Sequence, residues 1–331
     1  MRRRTTRLAR LAAAGCLAAL AARETAAQTG LATEGAPFLL IPIGARAIAL
    51  GQAVVADQPG TEAVWWNPAG LARAERREVA IHHYQSVIGT GDALSILIPS
   101  SQLGVLSASV YILNFGEQPI QGSTGPPIGS ILPRNLVYAA TYATPIGGRI
   151  NAGLTFKVVQ LRVDCTGACA GIQTGAASSS AIDAGAQYTV PGPVPIAIGA
   201  AARHMGPRLQ VKDREQADPL PTRIQIGAAY RVTALERYAP DVDVRVSADV
   251  IDELGMESPS ARFGADFGWR KRAHLRAGYV FRESQNSEQY GPSLGLGLIA
   301  GNLHIDLARL FDNFSSDVGE PPTYVSLRYL F

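Results

Sequence analysis

DVDVRVSADV, Asp241–Val250, sets Val242, Val244, Val246, Ala248 and Val250 on one side of an extended chain and Asp243, Arg245, Ser247 and Asp249 on the other. Successive side chains of a strand point to opposite faces, so a period of two marks a strand with one apolar and one polar face. ARFGADFGWR, Ala261–Arg270, repeats the pattern with Phe263, Phe267 and Trp269 opposed to Arg262 and Asp266, and so does Thr222–Val232, where Ile224 and Ile226 oppose Arg223 and Gln225. Working outward in both directions gives strands near 78–86, 92–99, 102–112, 134–143, 149–160, 180–190, 194–204, 222–232, 241–250, 260–270, 272–282, 290–299, 302–310 and 323–331, fourteen in all.

The connections between these runs alternate in length. Those after the second, fourth, sixth, tenth and twelfth strands are tight, as at Pro99-Ser100-Ser101, Lys271 and Ala300-Gly301. Those after the odd strands are mostly long and polar: Asn114–Ile131, Arg162–Ser179, Met205–Pro221 and Phe311–Pro322. Two exceptions stand out, a connection of about eight residues after the eighth strand and a short hairpin at Gly89-Thr90-Gly91 after the first. An even-numbered meander with short turns at one end and long loops at the other describes an outer-membrane β-barrel. In lipid every backbone polar group needs a partner, and only a sheet closed on itself leaves none at an edge. The fold class is therefore all-β: a 14-stranded antiparallel transmembrane barrel. No apolar stretch is long enough for a membrane-spanning helix.

The charged alternates then point into the lumen. Lys157, Arg223, Arg245, Asp249, Arg262, Asp266, Arg276 and Asp306, with Asp183 and Asp243, all fall opposite the apolar faces. A charge on the lipid side at the bilayer midplane would cost about 2–4 kcal/mol. Because both signs occur, pairing around a plug is favoured over a ring of one sign.

The N-terminus reads as an export signal. Arg2, Arg3, Arg4, Arg7 and Arg10 precede an apolar run, Leu11–Ala22, with small residues at Thr25 and Ala27, which assigns residues 1–27 to a cleavable signal peptide. Cys16 after Ala13-Ala14-Gly15 is the alternative of a lipoprotein site, but the apolar run continues beyond it. Residues 1–27 carry six arginines and one glutamate, so their removal turns the net charge of +3 to about −2. A basic surface for a nucleic acid thereby loses its support. Export also suits the remaining cysteines, Cys165 and Cys169 in CTGAC, as a small disulfide loop; two thiolates with no histidine nearby do not make a zinc site.

No catalytic constellation appears: G-x-S-x-G and H-E-x-x-H are missing, Gly295–Gly301 lacks dinucleotide spacing, and the adjacent His82 and His83 face opposite ways on a strand. Neither a metal, a cofactor nor an enzyme activity is expected. At the other end of the chain, TYVSLRYLF puts Val325, Leu327, Tyr329 and Phe331 on one face. That terminal aromatic strand resembles the signal read by the barrel-assembly machinery.

Residues 28–74 show no period of two and are too apolar for a solvated tail, and a barrel this wide needs filling. Ala45–Val55 and Thr61–Gly70 look helical or compact, the second closed by Pro68 and Gly70. Trp65-Trp66 before Asn67-Pro68 suits either ligand stacking or an anchor at the barrel wall or the periplasmic interface, and anchoring is favoured. Two motifs here, Asn67–Leu71 (NPAGL) and Gly44–Gly51 (GARAIALG, with Arg46), resemble the PorV/PorQ family of outer-membrane proteins within the FadL-like fatty-acid-transporter superfamily. The resemblance spans the mature chain. It implies that residues 28–74 form a hatch (Gly44, Arg46, Gly51, Trp65, Trp66, Asn67, Pro68 and Gly70 as its motif) inside a barrel of residues 75–331. A PorV/PorQ-like role implies a secretion accessory of the type IX kind that binds machinery or exported cargo; the FadL-like alternative implies a conduit for hydrophobic small molecules. The expected surroundings are outer-membrane lipid.

Overall fold

The computed structural model describes residues 35–86, 88–122, 125–169, 175–192, 194–210, 217–235, 237–253, 259–282, 291–311 and 321–331. The signal peptide assigned to residues 1–27 lies outside them. Fourteen long strands run in sequence: β1 (Glu78–Ser86), β2 (Gly89–Ser100), β3 (Gly104–Asn114), β4 (Gly129–Ile146), β5 (Ile150–Gly167), β6 (Gly175–Thr189), β7 (Ile196–Met205), β8 (Arg223–Arg231), β9 (Val242–Glu253), β10 (Ser260–Trp269), β11 (Ala273–Arg282), β12 (Gly291–Ala300), β13 (Leu303–Leu310) and β14 (Thr323–Leu330). Each pairs antiparallel with the next, and β14 returns to β1 in a register from Glu78↔Leu330 to Gln85↔Thr323. The sheet closes, so the wall has no free edge.

Alternation decides which face is which. Val246, Val250, Phe263 and Phe267 stand 41–52% exposed on the outside, while Asp249, Arg262 and Asp266 beside them are buried in the lumen. No helix among the described residues is long and apolar enough to cross a membrane. The long connections are partly strand. β4 and β5 continue past the wall to Gly129 and Gly167, and a short strand, Gln118–Ile120, pairs with the start of β4. Leu209–Gln210 and Ala217–Asp218 pair with each other between β7 and β8. The Asn114–Ile131 and Arg162–Ser179 loops expected from sequence are therefore shorter than the alternation implied, because cross-strand pairing continues past the residues where the apolar pattern fades.

Residues 35–74 lie against the inner face of the wall. Helix α1 (Ala45–Ala49) packs on β12, β13 and β14; helix α2 (Ala63–Trp66) follows; and a 3-10 turn, Pro68–Arg73, packs on β4, β5 and β6. Two expectations are corrected. The helix in Ala45–Val55 stops at Ala49, because Gly51 (φ 58) and Gln52 (φ 64) turn left-handed and send Val54-Val55 to the wall. Nor does Pro68 close a turn; it opens the next one. Asn67 caps that turn by accepting from Ala69 N at 3.1 Å, and proline suits a first helical position, where its missing N–H has no partner to lose. Gly70 then sits inside the turn, against the carbonyl of Gln58.

The wall yields room where this segment presses on it. Inward-facing Gly199 meets the Val55 carbonyl and Gly278 meets the backbone of Leu50-Gly51, with contacts that a methyl group at either position would turn into collisions. Glycine inside a strand commonly marks such a close approach.

Candidate functional site

A cavity of about 470 Å³ remains in the lumen, walled partly by the plug and partly by the barrel. Its apolar side is Phe38, Tyr84, Tyr111, Leu113, Ile251 and Tyr324. Phe38 stacks on Tyr111 and Tyr84 on Tyr324, at centroid separations of 6.5 and 5.5 Å. Its polar side is Lys157, Arg203, His204, Arg223 and Arg262. Among the described residues that line it, none is an aspartate or glutamate.

A bulge builds that polar side. The register of β6 with β7 shifts between Ile182 and Ala184, and His204 takes φ 60, so the consecutive Arg203 and His204 are both buried, 9% and 3% exposed. An extra residue in one strand is what lets neighbours share a face. Asp183 anchors the bulge: it accepts from the His204 backbone N–H at 2.8 Å and meets Lys157 Nζ at 2.5 Å. Arg203 donates to the Trp65 carbonyl at 3.0 Å. Among the described residues, neither ring nitrogen of His204 nor Nε1 of Trp65 has a hydrogen-bond partner. Buried donors and acceptors left this way around a cavity are where a ligand's polar group gains most.

Both tryptophans belong to this wall. Lys157 lies 5.7 Å from the Trp65 ring centroid and Arg203 lies 5.1 Å from that of Trp66, while Trp66 Nε1 donates to the Ile43 carbonyl at 2.9 Å. The periplasmic-interface placement allowed for them is thus overturned: they are 6% and 2% exposed, and both line the cavity. Asn67 joins plug to wall, donating to Val55 O at 2.6 Å and Ala186 O at 3.2 Å.

The other lumenal charges do separate work. Asp249 accepts from Val55 N–H (2.9 Å) and from Gln225 (2.7 Å), tying the plug's backbone to the wall. A ladder runs round one sector: Asp266 to Arg276 at 3.1 Å, Arg276 to Asp306 at 2.6 Å, Arg328 to Asp306 at 3.2 Å. Arg276 reaches across β12 because Gly297 offers no side chain in between. Gly44, at φ 98, turns the chain into α1 beside Glu62. On the outer face, Tyr329 and Phe331 stack at 6.2 Å, and Cys165 and Cys169 are joined by a disulfide at the end of β5.

Asp57, in the plug, is a latch. Arg73 reaches it at 2.7 Å, Arg245 of β9 at 3.0 Å and Arg46 at 3.9 Å. Burial alone would raise its pKa, but the three guanidiniums outweigh that and hold it down at about 2. A depressed carboxylate stabilises the folded state fully above its unfolded value, near 3.9, and the contribution is lost as pH falls through the folded value. The plug is therefore expected to stay latched at pH 5 and to loosen only toward pH 2, whereas Asp57→Asn loosens it at pH 7. Single-channel recordings check this, and an Asp57→Asn variant that opens no more often than the wild type at pH 7 would refute it.

No protein-family model matches the chain, and no curated protein matches it in sequence. Solved structures do. The fold is that of CymD, a monoaromatic hydrocarbon channel (TM-score 0.58, 12% identity, 88% of this chain and 98% of that one). It is likewise similar to the toluene transporter TodX of Pseudomonas putida (0.54, 12%, 86% and 95%) and to the toluene transporter TbuX of Ralstonia pickettii (0.53, 13%, 87% and 98%). The chain is a closed 14-stranded barrel, similar in fold to these. At such identities the likeness is one of fold. It extends neither to PorV/PorQ proteins in particular nor to a secretion role.

Proposed function

We propose that the chain is an outer-membrane conduit for small hydrophobic or amphipathic molecules, with the lumenal cavity as its binding station. The observation that carries this reading is the cavity's two-sided chemistry: aromatic and aliphatic on one side, cationic on the other, with no carboxylate among the described residues of its lining. Ligand sites are commonly of this kind, mostly apolar with a few placed polar groups. An apolar body carrying a carboxylate fits it best, the tail against Phe38 and Tyr111 and the head toward Lys157, Arg223 and Arg262. The hydrocarbon channels of similar fold support passage of small molecules. The secretion-accessory reading draws no comparable support.

Trp65 and Trp66 provide the readout. Octanoate is expected to change tryptophan fluorescence saturably in the purified barrel, with toluene a weaker ligand. Arg262→Gln removes one charged hydrogen-bond donor and is expected to weaken octanoate about tenfold or more while leaving toluene unchanged. No saturable response to either ligand would end the proposal.

A further inference from the structure

The connection between β8 and β9 is the long exception among the short turns, and neither the cavity nor the plug accounts for it. It contains a 3-10 turn, Thr233–Leu235, and presents Leu235 (40% exposed) and Tyr238 (81% exposed), the latter the most exposed large apolar side chain among the described residues. Next to it is the β10–β11 turn, Arg270-Lys271-Arg272. The two are fastened together: Arg270 N–H donates to the Asp241 carbonyl at 2.7 Å, and its guanidinium meets the Asp241 carboxylate at 3.2 Å. In sequence, residues 232–241 and 270–272 hold four cationic residues, Arg237, Arg270, Lys271 and Arg272, against two acidic ones.

This surface lies where the lipid-facing wall ends. Trp269, 49% exposed on the outer face, follows Phe267 down the same strand, and the Arg270 guanidinium sits 4.8 Å from its ring centroid. Indole at the end of an apolar band marks the bilayer interface, and cations beside it stand at headgroup level. The turn is also held against its own preference. Arg270 and Lys271, the central residues of the turn closed by Arg272 N–H on the Trp269 carbonyl at 2.9 Å, both take positive φ, 50° and 54°, a pair of positions that favours Asn-Gly. Side chains kept in such a conformation point to use rather than to folding.

We infer that the β8–β9 connection and the β10–β11 turn together form a binding surface for anionic phospholipid headgroups of the inner leaflet, with Lys271, Arg272 and Arg237 meeting the phosphate and Trp269 and Tyr238 seating the upper acyl chains. A phosphodiester suits this set because each cation near the membrane surface adds a like increment to its attraction. A lipid rather than an acidic protein is favoured by the unbroken passage from the apolar wall through Trp269 to the cations.

Native mass spectrometry of the full-length barrel, titrated with phosphatidylglycerol and with phosphatidylcholine, tests the surface. The wild type is expected to retain phosphatidylglycerol preferentially. K271Q/R272Q loses about fivefold in affinity per cation removed. R270N/K271G installs the relaxed turn, so it folds at least as well and still loses phosphatidylglycerol, which separates lipid binding from misfolding. Arg149→Gln, in the β4–β5 turn elsewhere on the rim, is expected to change nothing. Equal retention of the two lipids, wild-type retention by R270N/K271G, or a loss in Arg149→Gln as large as in K271Q/R272Q would each overturn the assignment.

Discussion

Deleting residues 35–71 is expected to leave a barrel that still assembles and to turn a closed lumen into an open pore. The two halves of that expectation rest on different forces. The wall is held by strand pairing that runs unbroken from β1 round to β14, and by an apolar exterior that meets lipid whether or not the lumen is filled. Removing the plug strips partners from Asp249, Gln187, Arg203 and Ser326, each bonded to its backbone. In a soluble core each orphan of this kind would cost about 1–3 kcal/mol. Here water enters and takes the vacated positions, so the penalty is largely offset. Conductance, by contrast, depends on what stands in the way. A 14-stranded wall encloses more space than its own side chains can fill, and that space is now occupied by α1, α2 and the Pro68–Arg73 turn. The measurement is conductance in planar bilayers, paired with heat-modifiable gel mobility. A folded deletion variant that conducts no better than the wild type would show that the plug is not what closes the lumen.

The wall was legible in the sequence because a period of two has one physical cause, opposite faces meeting opposite solvents. Every strand read from the alternation is present, and Phe331 stands outside as its register requires. The interior was less legible. Tyr84, Leu97, Tyr111, Leu113, Val137 and Val159 point inward, against a rule that places polar residues in the lumen. They do so because the plug and cavity make that part of the lumen apolar, which no single strand can reveal. Arg203-His204 was invisible for a related reason: a bulge sets two neighbours on one face, and alternation assigns them to two. The one trace of it was a pair of consecutive polar residues where the pattern asked for one. The plug carries no period, so its apolar content indicated burial while its partners stayed hidden; the paired tryptophans were read as an anchor when they are also a cavity wall.

Lys157→Met is expected to be among the most destabilising single substitutions in the wall, and the reason lies in Asp183 rather than in the lysine. Both side chains are buried, 1% and 0% exposed, with Nζ and the carboxylate 2.5 Å apart. A buried pair adds little over a well-packed apolar pair, but removing one partner strands the other's charge, at a cost of about 3–5 kcal/mol. Lys157→Met leaves the carboxylate of Asp183 with the His204 backbone N–H as its remaining donor. The double variant K157M/D183N removes the stranded charge, while Asn keeps an oxygen for that N–H and so preserves the bulge. It is expected to recover most of the loss, except about 0.5–2 kcal/mol for the cation lost from the Trp65 face. Denaturant midpoints measure both variants, and a single variant within about 0.5 kcal/mol of wild type, the range of an uninvolved substitution, would show the pair to be unimportant. The same two proteins separate structure from binding. If the cavity draws carboxylates through its local excess of cations, Lys157→Met, which leaves Asp183 uncompensated beside it, weakens octanoate more than K157M/D183N does; if Lys157 acts only by touching the headgroup, the two lose equally.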